Sequence, residues 1–288
     1  MELIPKTSRW YRRLEKLNSI VLTFFSGYNK NLVGTYWFDR VTNFGDLLSP
    51  LLLKKYGLVP FRVHYKGQAQ LICVGSVLDD LPQDYNGFIL GSGLINDTVR
   101  PFSQARILAV RGELTRQRTG APASTILGDP GLLAEKLLAA RQPKQYRVGI
   151  VPHYVDKDDP RVEMLRARLQ NDLLVIDVQR GPAAVFADID RCEYILSSSL
   201  HGLISADAFG IPNAWLVLSG KLRGNDFKFH DYYSAFGGQA RPCRPTGEES
   251  LADLIAMTHP VSGEIGAVKQ NLDRAFQQLK QALLSRRA

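Results

Sequence analysis

The stretch Tyr194-Ile195-Leu196-Ser197-Ser198-Ser199-Leu200-His201-Gly202-Leu203-Ile204-Ser205-Ala206-Asp207-Ala208-Phe209-Gly210-Ile211-Pro212 is an apolar run, a turn of small residues and a second apolar run closed by glycine. Tyr194 to Ser197 reads as a buried strand. The segment from about Gly202 to Phe209 reads as a helix that Gly210 ends and Pro212 separates from the next strand. A strand that feeds a helix through a tight turn and then returns to a strand is the repeating unit of an open α/β sheet. In such a sheet the strand-to-helix turns lie at the carboxyl ends of the strands, where ligands bind. Free backbone N–H groups at the helix start there favour an anion. His201 occupies that turn, with Ser198, Ser199 and Gly202 beside it.

The same alternation extends in both directions. Upstream, Val33 to Phe38 is a predicted strand, Asn43-Phe44-Gly45-Asp46 a loop, and Leu47 to Tyr56 a helix closed by Gly57. Three further strand-then-turn junctions follow: Leu71 to Val74 with Gly75-Ser76, Gly87 to Leu90 with Gly91-Ser92-Gly93, and Arg106 to Val110 with Arg111-Gly112. The last opens a helix from Glu113 to Thr119. Ser124 to Leu127 adds a strand ending in Gly128-Asp129-Pro130-Gly131 ahead of a helix over Leu132 to Ala140.

A polar break, Arg141-Gln142-Pro143-Lys144, then restarts the pattern. Strands are expected at Arg147 to Val151, Leu173 to Asp177 and Ala214 to Leu218, with helices at Arg161 to Gln170 and Gly181 to Ile189. From Gly263 to Ser285, the apolar residues Ile265, Val268, Leu272, Ala275, Phe276, Leu279 and Leu283 recur at helical spacing. The expected architecture is two Rossmann-like domains facing a cleft, with that terminal helix bracing them. The boundaries fall at 1–30 for a leading segment, 31–142 and 143–260 for the domains, and 261–288 for the helix.

Composition narrows the function. Hydrophobic content of 45% and charged content of 22% over 288 residues are globular values, so the chain can bury a sizeable core. Cys73, Cys192 and Cys243 are odd in number and widely spaced, which suggests neither a disulfide framework nor a zinc site and fits a reducing cytoplasm. No pair of histidines has metal-ligand spacing, and no catalytic metal is expected. The net charge of +8 is dispersed, without the arginine-rich or aromatic-basic runs of a nucleic-acid binder. It suits an anionic small substrate or an anionic membrane surface. The leading segment concentrates Lys6, Arg9, Trp10, Arg12, Arg13 and Lys16 ahead of the short apolar run Ile20 to Phe25. That composition is compatible with lying on the cytoplasmic face of a bilayer, and the run is too short to cross one.

Gly91-Ser92-Gly93 lacks the third glycine of a dinucleotide fingerprint, and no phosphate-loop motif is present. Taken together and in order, Asn43-Phe44-Gly45-Asp46, Gly75-Ser76, Gly91-Ser92-Gly93, Arg111-Gly112, Gly128-Asp129-Pro130 and Ser198-Ser199-Leu200-His201-Gly202 resemble the polysaccharide pyruvyl transferases. The likeness covers roughly residues 33 to 237 and is strongest to the bacterial exopolysaccharide ketal pyruvate transferases. It implies a GT-B-like fold, phosphoenolpyruvate as donor and co-substrate without a further cofactor, and a sugar hydroxyl pair on a lipid-linked saccharide as acceptor. It also implies that Arg111 contacts the donor. Lys228, in Lys228-Phe229-His230-Asp231-Tyr232-Tyr233, resembles the lysine that follows the histidine in that family, and Lys221 competes for the same role.

The chemistry adds further assignments. A donor with a phosphate and a carboxylate needs fixed cations and helix-start donors, which Arg111, Lys228 or Lys221, and the Ser198, Ser199 and Gly202 turn would provide. Making a ketal requires protonating the donor's methylene carbon. His201 is the expected general acid, because an unperturbed imidazole holds or releases a proton near neutral pH. Asp46 is the expected base or positioning group for the attacking hydroxyl, with Asn43, Gly45, Gly93, Asp129 and His153 on the acceptor side. A GT-B glycosyltransferase using a nucleotide sugar is the competing enzyme reading, and a non-catalytic saccharide- or anion-binding protein a third.

Overall fold

The computed structural model describes Leu17, Val21, residues 31–221, 224 and 226–285. The basic-aromatic segment and its expected membrane contact therefore lie outside the described residues, apart from Leu17 and Val21. No helix among the described residues is long and apolar enough to cross a membrane.

Two parallel sheets form the frame. The first contains β1 (Leu32–Tyr36), β2 (Val59–Arg62), β3 (Leu71–Ile72), β4 (Phe88–Leu90), β5 (Arg106–Val110) and β6 (Ile126–Leu127) in the order β2-β1-β3-β4-β5-β6. The second contains β7 (Tyr146–Val151), β8 (Leu173–Val175), β9 (Cys192–Ser197), β10 (Asn213–Leu216) and β11 (Pro242–Cys243) in the order β11-β10-β9-β7-β8. Every neighbouring pair in both sheets is parallel. In each sheet the first strand sits between the second and third, so the chain winds outward in both directions from one seam.

The helices are α1 (Leu48–Lys55), α2 (Glu113–Thr119), α3 (Pro160–Leu169), α4 (Pro182–Asp190), α5 (Leu200–Phe209), α6 (Phe227–Ser234), α7 (Leu251–Ala256) and α8 (Ile265–Ser285). Several expectations need correction. The helix foreseen over Leu132 to Ala140 is a 3-10 helix over Pro130–Leu137, started by Pro130 and by Asp129, which accepts a hydrogen bond from Gly131 N–H at 2.8 Å. Phe44–Leu47 is likewise 3-10 before α1 begins. Lys228 and His230 stand on α6, a helix not expected from the sequence. The short strands β2 and β11, and α7, have too few periodic residues to be visible beforehand.

All ten residues of α5 are buried. An apolar surface all round is what a helix enclosed on every side requires. Its C-terminal Gly210 has φ +72°, a left-handed cap that a Cβ would strain. The helix is enclosed because it follows β9 of the second sheet yet packs on the 3-10 helix Pro130–Leu137 of the first half. One apolar cluster accordingly joins Val33, Phe44 and Leu90 to Val151, Ile195 and Leu203. The polar break is also tied down, since Arg141 Nε and Gln142 N–H donate to the buried carboxylate of Asp190 at 2.8 and 2.6 Å.

All seven apolar stripe residues of α8 are buried. The helix brings the end of the chain back onto β4, β5, β6 and the 3-10 helix of the first half. Lys269 Nζ ties it to the second half by donating to Ala208 O of α5 at 2.7 Å.

Candidate active site

The seams of the two sheets lie between β1 and β3 and between β7 and β9, and a crevice opens at the carboxyl ends of such strands. The loops leaving those ends carry Asn43 to Asp46 after β1, Gly75 and Ser76 after β3, Pro152 and His153 after β7, and Ser198 to His201 after β9. These loops meet. Phe44 N–H donates to Val178 O at 2.9 Å, and the Phe44 ring stands edge-on to Phe186 and His201 with centroids 5.8 and 6.4 Å away.

Gly45 is where the two halves come closest at this point. A Cβ there would lie 2.1 Å from Nδ1 of His201, so the imidazole rests directly on the glycine backbone. Asn43 holds that backbone by accepting from Gly45 N–H at 3.2 Å. His201 is 8% exposed, and its Nε2 is buried without a hydrogen-bond partner among the described residues. Burial pushes its pKa down to about 3, and the charges of Lys228 and Arg111, with His153, press the same way. The expectation that His201 holds or releases a proton near neutral pH rests on an unperturbed imidazole, and burial instead leaves this ring neutral at pH 7.

Around it stands an uneven set of charges. Lys228, in the first turn of α6, is buried, and its Nζ makes no hydrogen bond or ion pair among the described residues, resting 5.2 Å from the Phe229 ring centroid. Burial lowers its pKa to about 8, with Arg111 adding to the effect and Asp46 opposing it. Asp46 is pushed up to about 7 by burial, against the pull of Lys228. His153 falls to about 4, through burial and then Lys228. Lys228 thus appears in the electrostatic surroundings of His201, His153 and Asp46 alike. Lys221 is exposed, with its backbone N–H on Ser219 Oγ at 3.2 Å.

Arg111, at the end of β5, is wholly buried and is not a free cation. Its Nε donates to Asp231 Oδ2 at 2.7 Å, one terminal nitrogen donates to Leu94 O and the other to Ser76 Oγ. Gly93 lies beneath it, where a Cβ would meet the guanidinium carbon at 2.3 Å. Asp231 also accepts from Thr115 N–H and Thr115 Oγ1, both at 2.7 Å, and Ser234 Oγ accepts from Glu113 N–H at 2.8 Å. The N-cap of α2 is Gly112, which has no side chain, so Asp231 and Ser234 of α6 cap that helix from across the molecule. A Cβ at Gly112 would lie 1.7 Å from Asp231 O. This clamp fixes α6, and with it Lys228 one turn earlier, against the end of β5.

The serine turn is built from the same kind of bond. Ser198 Oγ accepts from His153 N–H at 2.9 Å and donates to Asp156 Oδ2 at 2.7 Å, while Asp156 Oδ1 accepts from Ser219 Oγ. Ser197 Oγ donates to Val151 O at 2.9 Å and accepts from Ser199 N–H at 3.0 Å. Ser199 is the N-cap of α5 without a side-chain capping bond. Gly202 sits against Ser197 Oγ, 2.3 Å from where its Cβ would be. Asp129 is wholly buried, with one carboxylate oxygen unpartnered. Burial raises its pKa to about 6, against the Gly131 hydrogen bond and Arg111.

Asp231, Asp156, Thr115 and Ser76 were not visible as site residues beforehand. For Asp231 a signal existed: it stands one helical turn after Lys228, while Gly112 directly follows Arg111. Among the described residues no group of three or more His, Cys, Asp and Glu side chains is arranged to hold a metal ion.

A family model described as polysaccharide pyruvyl transferase matches residues 8–220. The uncharacterized protein L143 of Acanthamoeba polyphaga mimivirus is 33% identical over 220 residues, covering 70% of this chain and 74% of that protein. The succinoglycan biosynthesis protein ExoV of Rhizobium meliloti (strain 1021) is 30% identical over 217 residues, covering 73% of this chain and 66% of that protein. The wall teichoic acid polymerase TagF aligns over 99% of each chain at 11% identity with a TM-score of 0.47, too low a likeness to carry an argument.

Proposed function

This chain belongs to the polysaccharide pyruvyl transferase family, and from that premise we propose that it transfers the three-carbon unit of phosphoenolpyruvate to a saccharide as a pyruvate ketal. The observation that carries this reading is the buried Lys228, without an ion-pair partner among the described residues, beside the neutral His201 at the seam of two sheets. A desolvated ammonium without a carboxylate partner is suited to a phosphate. The shared 2-1-3 winding of both sheets supports two Rossmann-like halves in a GT-B-like arrangement, divided near residues 142 and 260.

In this mechanism the donor's negative charge offsets the positive charges of Lys228 and Arg111 and stabilises an imidazolium against the effect of burial, and the imidazole takes up a proton as phosphoenolpyruvate binds. His201 gives that proton to the methylene carbon, leaving C2 electrophilic. A sugar hydroxyl adds at C2 as Asp46 accepts its proton, phosphate leaves with that proton to make C2 electrophilic again, and the second hydroxyl closes the ketal ring as its proton returns to His201. Lys228 holds the phosphate, and the start of α5 at Ser199, with Ser198 and Gly202, supplies its remaining contacts. Arg111 contributes positive potential and, through Asp231, the height of Lys228. Asn43 and Gly45 hold the loop under the imidazole, and His153 lines the acceptor side. No cofactor or metal enters these steps. An acceptor on a lipid carrier would bring the protein to the cytoplasmic face of a membrane.

The reading is tested by incubating the protein with phosphoenolpyruvate and depyruvylated exopolysaccharide fragments. Inorganic phosphate should appear in equal amount to ketal, and phosphoenolpyruvate, not nucleotide sugars, should raise the melting temperature. Asp46 must be ionised, His201 must gain a proton and Lys228 must be charged, so kcat/KM should be level with pH up to about 7, fall above it, and fall more steeply beyond about 8. Asp46→Asn should remove the level region, so that the residual rate falls with pH throughout. Phosphate release without ketal, or a rate that rises between about pH 7 and 8, would overturn the assignment.

The two candidate lysines separate cleanly. Lys228→Ala should weaken phosphoenolpyruvate binding by about 1.5–3 kcal/mol, the range for losing a charge-assisted hydrogen bond. Lys221→Ala, at an exposed position, should leave it within about 0.5 kcal/mol. Calorimetric titration of both variants measures this, and the opposite ranking would exchange their roles.

A further inference from the structure

Asp207 lies six residues beyond His201 on α5, about 9 Å further along the helix axis at 1.5 Å per residue. With Asn213, Trp215, Tyr233, Arg241 and His259 it surrounds a cavity of about 380 Å³. Asn213 begins β10, so this cavity is at the amino ends of the second sheet's strands, away from the crevice that holds His201. Phe236 lines it and also lines a second depression of about 670 Å³, where Ser124, Thr125, Glu264 and Asn271 provide hydroxyl, carboxylate and amide groups. The two depressions therefore meet at one aromatic ring.

The cavity is rigidly built. Tyr232 is wholly buried and donates its hydroxyl to Asp207 Oδ2 at 2.6 Å, while Asn213 Nδ2 donates to Asp207 Oδ1 at 2.7 Å. Tyr233 and Phe236, both half-buried, stand edge-on to the Tyr232 ring with centroids 5.3 and 5.2 Å away, so their rings are held in place. Two groups retain unused bonding capacity. A carboxylate has about four lone-pair sites, of which the bonds to Asp207 take two. The Nε1 of Trp215 is buried without a hydrogen-bond partner among the described residues, a donor whose isolation is unfavourable.

Fixed half-exposed rings, a buried carboxylate and amide, an unsatisfied indole donor and a guanidinium match the surface of a pyranose. A sugar ring offers a C–H face to an aromatic side chain and a belt of hydroxyls that both donate and accept. We propose that this cavity and the depression beyond Phe236 form a saccharide-binding groove, separate from the active site, that holds a neighbouring stretch of the acceptor chain. The proposal rests on the saccharide acceptor of the preceding section. A second point of attachment raises the local concentration of acceptor without altering the reacting centre.

The test uses depyruvylated succinoglycan and xanthan fragments of one and of several repeats. For Arg241→Ala and Phe236→Ala, affinity for the longer fragments, measured by calorimetry, should fall about tenfold or more. Phosphoenolpyruvate binding and turnover of single-repeat fragments should stay at the parent level. Titrating the parent with long fragments should also change tryptophan fluorescence, and Trp215→Phe should remove that response. Unchanged affinity of both variants for long fragments, or parent protein that binds long and short fragments equally, overturns the groove. Failure of single-repeat turnover in the parent would overturn the pyruvyl-transfer reading, while the affinity comparison reports on the groove separately.

Discussion

Asp231→Ala is expected to lower stability by about 3–5 kcal/mol, the range for breaking a buried ion pair from one side. The carboxylate is wholly buried and meets an equally buried Arg111, and the same two oxygens accept the backbone and hydroxyl of Thr115. Its removal leaves a guanidinium in the interior without its counter-charge and opens the start of α2. Denaturant unfolding measures the loss as a lower midpoint with little change in slope. Replacing the pair together, as Arg111→Met with Asp231→Leu, should cost less than Asp231→Ala alone, because no uncompensated charge remains. A loss below about 1 kcal/mol for Asp231→Ala would mean that the clamp does not hold the two halves in register.

His201→Gln is expected to keep the fold and to reduce turnover by about 10² to 10⁴, the range for losing a general acid. Donor affinity should fall much less, since Lys228 and the start of α5 remain. A second readout separates proton transfer from simple packing. In the parent protein, phosphoenolpyruvate binding should draw a proton from the buffer near neutral pH, because the ring begins neutral with its pKa pushed down to about 3 and ends charged. Calorimetry in buffers of different ionisation enthalpy detects that uptake, and His201→Gln should lower it by close to one proton, leaving the smaller share taken by Asp46 and Lys228. A folded His201→Gln protein with full activity would remove the residue from the mechanism.

Much of the frame was legible because local pattern and tertiary environment agree. Glu113–Thr119 was read with its observed ends, and the stripe from Ile265 to Leu283 is buried as its spacing required. The strand, serine turn and helix around His201 were placed correctly, with α5 starting two residues earlier than expected. Failures fell where local pattern is weak or overruled. Pro130–Leu137 has the composition of an α-helix yet forms a 3-10 helix in a tight contact, with Gly131 close against Ile204 of α5. Two- and four-residue strands such as β11 and β2 are too short to show a period.

By itself the sequence determined the alternation of strand and helix, the glycines and small residues at the carboxyl ends of the strands, and the ordered motifs of the family. These are properties of neighbouring residues, set by backbone sterics and by side-chain period. The tertiary structure decided the electrical state of the site. Arg111 and Asp231 are far apart in the chain and become one buried ion pair only when α6 lies over the start of α2. His201 changes from a proton carrier near neutral pH to a neutral ring because burial and the charges of Lys228 and Arg111 act on it together. A pKa depends on solvent and on charges in three dimensions, so no reading of the residue types along the chain could have supplied it.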